Sequence, residues 1–315
     1  MTMQAYRGNS VAIILPCYNE APAIAKVVAD FHAALPEASI HVFDNASTDG
    51  TADAARAAGA EVVHVTSRGK GNVVRRMFAD VEADIYVMAD GDGTYDATAA
   101  RGLVDSLIEQ HLDMVVGTRV PTGSGGEYRF GHRFGNRMLT GTVSRIFGEG
   151  FTDMLSGYRV FSRRYVKSFP ALSRGFEIET ELTIHALELR APYAELPTAY
   201  GERVEGTVSK LTTYRDGANI LKAILRLYMR EQPRQFYLTL AAGGAIASIV
   251  LIIPIIIEYL QTGLVPRLPT AVLAAMVMLG ALLSASCAVI LDSVVTARDE
   301  AKRLTYLGIA AVRER

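Results

Sequence analysis

Two long stretches near the C-terminus contain no charged residue: 236–257, FYLTLAAGGAIASIVLIIPIII, and 268–291, LPTAVLAAMVMLGALLSASCAVIL. Each exceeds the roughly 20 residues that a helix needs to cross a bilayer. A buried core helix is the alternative home for such a run, and two in succession disfavour it. Pro254 lies inside the first, where a lipid-embedded helix tolerates it. Arg267 is the only basic residue between the runs, whereas Arg226, Arg230 and Arg234 precede them and Arg298, Lys302 and Arg303 follow. The positive-inside rule therefore predicts a hairpin of two spans with a short exterior loop and cytosolic flanks. Just upstream, residues 216–231 pattern as an amphipathic helix. Ile220, Leu221, Ile224, Leu225 and Tyr228 share one face, and Lys222, Arg226 and Arg230 recur on another. That pattern suits the interface of an anionic bilayer.

The remaining chain reads differently. Of 315 residues, enough precede position 212 for one sizeable domain. Net charge is −1, so no global basic field argues for nucleic acid as a partner. Cys17 and Cys287 are the only cysteines, which gives no disulfide framework and no metal-ligand spacing. The opening MTMQAYRGNS has no apolar core, so no signal peptide is expected and the first domain is expected in the cytosol. Apolar runs at 11–15, 40–43, 61–65, 85–89 and 113–117 predict strands, with helices predicted over 21–34, up to about 58, 70–81 and 97–110. Ser47 or Asp49 can cap the second helix. This alternation argues a parallel α/β sheet covered on both faces, whose ligands bind at the carboxyl ends of the strands. Beyond 119 the pattern is less regular, with a glycine-rich basic segment at 122–136, a helix at 176–190 and a short strand near 193–199.

The densest chemistry follows the fourth strand. Residues 84–96 read DIYVMADGDGTYD, an apolar run ending in Asp90 and Asp92 with little but glycine beside them. One residue apart, the two carboxylates leave the strand on the same side. Such a pair packs poorly and suits a hard divalent cation on a diphosphate. Asn19 and Asp44 also follow strand ends, so three segments deliver polar groups to one edge. Lys70 in RGKGN lacks the GxxxxGK[ST] context of a P-loop. Glu177, Glu179 and Glu181 lie two apart on a predicted helix, so they cannot all face one site. His64, His111 and His185 read as structural, and no zinc spacing occurs.

Seven ordered motifs, LPCYNE (15–20), DNASTDGT (44–51), RGKGN (68–72), DGDGTYD (90–96), GTR (117–119), DMLSGYRVFSR (153–163) and GERVEGTVSKL (201–211), carry a resemblance. The chain resembles the GT-A glycosyltransferases of family 2, and within them the polyprenyl-phosphate group of dolichol-phosphate mannose synthase. The resemblance covers about two-thirds of the chain. It implies a Rossmann-like, mostly parallel GT-A domain over 1–212. An amphipathic helix (213–235), transmembrane helices over 236–258 and 268–291, and a cytosolic tail (292–315) complete the expected order. It places Pro16, Tyr18, Glu20, Asp44, Lys70 and Asp90 at the donor nucleotide, Asp44 as acceptor for a base N–H, although a turn-forming role serves Asp44 equally well. It gives Asp90 and Asp92 as ligands of Mg²⁺ or Mn²⁺. Many relatives add a glutamine two positions on, where this chain has Thr94, a hydroxyl able to ligate or hold a water. Arg119, Arg203 and Lys210 match a clamp for the acceptor phosphate, with Ser209 as a hydroxyl donor and Arg133 from the glycine-rich segment. Asp92 acts at the reaction through its metal, and Asp153 stands at the position of a candidate catalytic carboxylate. A phosphate monoester with a second pKa of ~6 hardly needs a base, so Asp153 is either that base or a group orienting the clamp.

The expected reaction is an inverting transfer of a sugar from a nucleotide-sugar, UDP-linked ahead of GDP-mannose, to an undecaprenyl or dolichyl phosphate in the bilayer. A processive polysaccharide synthase is the alternative enzyme, but this chain has no tryptophan for a QxxRW segment. A non-catalytic membrane scaffold binding nucleotide-sugar is the alternative of another class. Small residues such as AAGGAIAS in the first span could pack between protomers of a homo-oligomer.

Overall fold

The computed structural model describes residues 5–121, 141, 150–172, 177–201, 228–229 and 232–314. They fall into two units, Met1–Ile220 with Ala301–Arg315, and Leu221–Glu300.

The first unit is built on a seven-stranded sheet. Its strands are β1 (Val11–Cys17), β2 (Ser39–Asp44), β3 (Glu61–His64), β4 (Ile85–Met88), β5 (Met114–Pro121), β6 (Arg159–Ser162) and β7 (Tyr193–Tyr200), in the order β3-β2-β1-β4-β6-β5-β7. All pairs are parallel except those of β6, which runs antiparallel to both β4 and β5. β4 is buried along its whole length, as a continuous apolar run requires when helices cover both faces. The helices α1 (Ala21–Ala34), α2 (Thr51–Ala57), α3 (Lys70–Asp80) and α4 (Ala99–Glu109) fall where periodicity predicts them. α1 buries Ile24, Val27, Val28 and Phe31, and α4 buries Ala100, Leu103, Val104 and Leu107, the spacing of one apolar face. After β6 come α5 (Arg163–Ser168) and α6 (Ile178–Leu189). β6 and α5 are additions to the elements predicted from sequence. RVFS is too short to announce itself, and its antiparallel insertion leaves the sheet mixed while keeping β5 parallel to β4.

One capping expectation is corrected. The residue before α2 is Gly50, in the left-handed region at φ 86°, so neither Ser47 nor Asp49 occupies the N-cap position itself. Asp49 serves both helices: its Oδ1 accepts the Thr51 N–H at the start of α2 at 3.1 Å and the Thr51 hydroxyl at 2.5 Å, and its Oδ2 accepts the Ala21 N–H at the start of α1 at 3.1 Å. The loop before α2 thus fixes the starts of both helices.

The last residues also differ from a plain tail. Residues 301–313 belong to the α/β unit. Tyr306 donates its hydroxyl to Asp113 Oδ2 at 2.5 Å, Lys302 pairs with Glu188, and Asn9 Nδ2 donates to the Arg313 carbonyl at 3.0 Å. Val312 joins the main hydrophobic core. Asp113 is fully buried and takes a two-pronged contact from Arg164, so the tyrosine completes a satisfied carboxylate.

The second unit holds α7 (Pro233–Thr262) and most of α8 (Leu268–Leu307). Both are long and apolar enough to cross a membrane, and only 17% of the most apolar window of each is buried. A soluble core helix would be covered; these are candidate membrane spans. Ala241, Ser248 and Ile255 are buried on α7, and Ala274, Ala281 and Ala288 on α8, each set at heptad spacing. Ser248 donates its hydroxyl to the Ala274 carbonyl at 2.7 Å, and a Cβ at Gly244 would stand 3.2 Å from that of Ala281. Ala241, Gly244 and Ser248 of the AAGGAIAS stretch therefore pack within the hairpin, while Ala242, Gly243 and Ala247 are exposed. The amphipathic helix expected over 216–231 lies almost wholly outside the described residues.

Candidate active site at the carboxyl edge of the sheet

β1, β2, β4 and β5 point the same way, so the segments after them meet at one edge. Two of these loops are laced together by short polar side chains. Asn19 donates its N–H to Ser47 Oγ at 2.9 Å, and its side-chain oxygen accepts the Thr48 N–H at 2.9 Å. Glu20, itself buried, donates its N–H to Thr51 Oγ1 at 2.9 Å. Asn45 donates to the carbonyls of Val65 and Ser67 and accepts the Gly69 N–H at 2.7 Å, which fixes the turn leading into Lys70. Pro16 lies within β1 opposite Phe43, and Tyr18 receives the Arg68 guanidinium at 5.4 Å from its ring. Asp44 is buried at 2% exposure, accepting from Ser47 N–H at 3.3 Å and pairing with His64 Nδ1 at 3.0 Å. His64, read as structural, thus sits on the carboxylate expected to meet the donor base.

Asp90 and Asp92 follow β4. Gly91 lets this turn close on β1, since a Cβ there would stand 2.3 Å from Cys17 Sγ. Asp92 is buried, and its Oδ1 accepts from the Thr94 N–H at 3.2 Å and the Thr94 hydroxyl at 2.6 Å. Asp90 is the more open of the two at 31% side-chain exposure and contacts the Lys70 ammonium at 2.5 Å. The same ammonium lies 2.6 Å from Glu179 Oε1 on α6. Burial works against the Lys70 charge, but Asp90 and then Glu179 outweigh it, and its pKa is raised.

Arg119, near the end of β5, meets Asp153 through a fork. Nε donates to Oδ2 at 2.8 Å and a terminal nitrogen to Oδ1 at 2.7 Å, while the Arg119 backbone N–H adds a contact to Oδ2 at 3.2 Å. Burial raises the pKa of Asp153, but the Arg119 contacts more than offset it and hold the carboxyl below its ordinary value. Glu195 on β7 accepts the N–H groups of Thr152 and Asp153 and so anchors this loop. The two halves of the edge meet through aromatic groups. Tyr95 accepts the Gly157 N–H at 2.8 Å and packs on Tyr200 at 5.3 Å between ring centres, and Arg119 lies over the Tyr200 ring at 5.7 Å. Gly157 in turn abuts Asp90: a Cβ there would stand 2.8 Å from Asp90 Oδ2.

Sequence reasoning missed Arg159, a fully buried guanidinium. It donates to the carbonyls of Ser156 and Met154 at 2.9 and 2.5 Å and to Thr183 Oγ1 at 3.0 Å, so it fastens the 153–157 loop to α6. Burial lowers its pKa from the ordinary arginine value. Sequence reasoning also left the three glutamates unsorted. Only Glu179 is buried among them, because it shares a helical face with buried Leu182, Thr183 and Ala186. His185 is structural as expected: burial, helped by Lys302, drives its pKa down to about 3, and Nε2 meets the Ser168 hydroxyl at 3.0 Å. Of the expected site residues, Pro16, Tyr18, Glu20, Asp44, Lys70, Asp90, Asp92, Thr94, Arg119 and Asp153 lie along this edge. Arg133, Arg203, Ser209 and Lys210 lie outside the described residues.

Comparison with known proteins agrees with this architecture. Residues 12–169 match the model of glycosyl transferase family 2. Glycosyltransferase AglJ of Haloferax volcanii is 38% identical over 225 residues, 71% of this chain and 73% of that one. A dolichyl-phosphate hexose transferase of the same organism is 28% identical over 232 residues, 74% of this chain and all of that one. Among solved structures, glucosyl-3-phosphoglycerate synthase from Mycobacterium tuberculosis, crystallised with Mn²⁺, uridine diphosphate and phosphoglyceric acid, superposes with a TM-score of 0.56. Its identity is 25%, over 70% of this chain and 78% of that one. With the family model, the sheet and the polar edge in agreement, the chain belongs to glycosyltransferase family 2.

Proposed function

We propose that this glycosyltransferase moves a hexose from a nucleotide-sugar to a polyprenyl phosphate held in a bilayer, in one displacement with inversion at the anomeric carbon. The observation that carries the reading is the shared edge: Asp90 and Asp92 lie beside the Arg119–Asp153 fork, linked through Gly157, Tyr95 and Tyr200. Such an edge offers one place for a diphosphate and another for a phosphate monoester. The two apolar helices favour a water-insoluble acceptor, as does the name of the hexose transferase relative.

The residues present fit a divalent ion. Asp90 and Asp92 are hard oxygen donors with the Thr94 hydroxyl alongside Asp92. Among the described residues no group of three or more His, Cys, Asp or Glu is arranged to hold a metal. Hard oxygen donors of this kind would suit Mg²⁺ or Mn²⁺ bound together with a diphosphate. When bound, such an ion neutralises charge gathering on the departing nucleoside diphosphate. Glu20, Asp44 and Tyr18 line the donor side, where the laced loops hold them without the donor's help. UDP is the favoured nucleotide.

On the acceptor side Arg119 presents a guanidinium already fixed by Asp153, the preorganisation that phosphate positioning calls for. Asp153 is a positioning residue in this scheme. Its depressed pKa makes it a weak base, and a lipid phosphate monoester with a second pKa of ~6 is already a nucleophile at neutral pH. The proposed placement keeps the catalytic domain in the cytosol, on the face of the membrane where nucleotide-sugars are made.

A panel of UDP- and GDP-sugars with Mg²⁺ and polyprenyl phosphate tests the reading, with the organic-phase product read by mass spectrometry. A phosphate-linked hexose on the lipid is the expected product. Nucleotide binding with no lipid product from any donor would instead indicate a scaffold.

A further inference from the structure

Lys70 holds an unusual position for a lysine beside an expected metal ligand. It opens α3, its side chain is only 11% exposed, and its ammonium bridges two carboxylates from distant segments, Asp90 at 2.5 Å and Glu179 at 2.6 Å. Glu179 is 6% exposed, so its charge has little water to fall back on. Gly157 closes over the pair, since a Cβ there would stand 3.2 Å from Lys70 Nζ. The arrangement is a fixed cation shared between one carboxylate of the proposed metal seat and one that belongs to no seat.

A divalent ion on Asp90 and an ammonium against the same carboxylate cannot both keep their places. Two cations drawn to one carboxylate repel each other even at the effective dielectric constant of a protein surface. Lys70 has somewhere to go, because Glu179 already holds it on the far side. We infer that Glu179 is a positioning residue that retains the Lys70 ammonium when Asp90 turns to the metal, keeping that cation in reach of the donor's diphosphate. This rests on the reading of Asp90 and Asp92 as a metal seat and adds a handover to it. Before a donor arrives, Lys70 satisfies Asp90 and competes with the metal. Once the diphosphate and metal are both present, Asp90 is given up and Lys70 faces the anion. Metal and nucleotide then favour the same arrangement, so each strengthens binding of the other.

Mn²⁺ affinity measures the handover without any turnover. The full-length protein in detergent is titrated with Mn²⁺ first without nucleotide and then with uridine diphosphate added, and the free ion is read by electron paramagnetic resonance. In Glu179→Gln the ammonium leans on Asp90 alone, and Mn²⁺ affinity falls by about tenfold. The double variant Lys70→Met with Glu179→Gln removes the competitor together with its holder and leaves no uncompensated buried charge at position 179. Mn²⁺ affinity there returns to the wild-type level or beyond, while affinity for uridine diphosphate at saturating Mn²⁺ stays low. Unchanged Mn²⁺ affinity in Glu179→Gln, or a double variant that binds Mn²⁺ no better than that single variant, would overturn the inference. Wild-type protein that takes up no Mn²⁺ even with uridine diphosphate added is a separate outcome: it sinks the metal seat, and the handover with it.

Discussion

The two ends of the polar edge are built by different means. On the side of β1 and β2, Asn19, Asn45, Ser47, Asp49 and Thr51 bond to backbone groups of neighbouring loops, mostly within about 30 positions along the chain. On the side of β5, β6 and α6, the links are ion pairs and a buried guanidinium: Arg119 with Asp153, Lys70 with Asp90 and Glu179, Arg159 with the loop carbonyls it satisfies. Short polar side chains make a rigid rim at small desolvation cost. Buried charges cost far more and tolerate removal of one partner badly. The second region should therefore be the more fragile to substitution and the more responsive to bound ions.

The largest contrast is expected at the carboxylates themselves. Asp92→Ala should lower transfer by at least about 10³-fold, as loss of a charge-stabilising group at a reacting centre does. Its circular dichroism should match the wild type. Substantial activity in this variant would remove the metal seat from the account.

Arg119→Ala and Asp153→Asn come next, at about 10- to 100-fold, and the loss should fall on the KM for lipid phosphate more than on donor affinity. The pH dependence sharpens this. Asp153 has a folded pKa below its unfolded value of about 3.9, so the stability it contributes is whole above that value and is lost as pH falls through the folded one. At neutral pH it stays ionised. An acid limb in kcat/KM near pH 6 should therefore belong to the lipid phosphate and persist in Asp153→Asn. Disappearance of that limb in the variant would restore Asp153 as a base.

Arg159→Met tests the buried guanidinium as a fastener. It orphans two loop carbonyls, and a loss of roughly 2–4 kcal/mol in denaturant unfolding is expected, with acceptor KM rising in step. The mildest change is Thr51→Val on the other side. The Glu20 N–H loses its acceptor at a cost of about 1 kcal/mol, and donor affinity should move less than threefold. A larger effect from Thr51→Val than from Arg159→Met would invert the contrast between the two regions.

The loops after β2 and β4 could largely be read directly from the chain, because their determinants are contiguous. The run IYVM followed by DGDG announces a buried strand and its carboxylates within one short segment, and NASTDGT announces a polar turn. The partner of that turn could not be read: Asp49 supports the start of α1, a choice made by how β1 and β2 align in space. The second region depends on pairs distant in sequence. RVFS is short enough to pass for loop, and its antiparallel entry between β4 and β5 rests on pairings with strands distant in sequence. Glu179 was separable from Glu177 and Glu181 by helical phase, given the buried face of Leu182, Thr183 and Ala186. Its partnership with Lys70 needed the fold. The apolar helices were plain from composition, yet the return of Tyr306 to Asp113 and of Val312 to the core was not, because nothing local marks a tail residue as a core residue.

One assay bears most directly on the claim that a cation at Asp90 and Asp92 serves transfer to a lipid phosphate. Purified full-length protein is incubated with polyprenyl phosphate and labelled nucleotide-sugars, with Mg²⁺ or Mn²⁺ and in parallel with EDTA. The account predicts organic-phase label that vanishes with EDTA and returns when metal is restored. Undiminished transfer in EDTA, or label that never enters the organic phase with any donor, would contradict it.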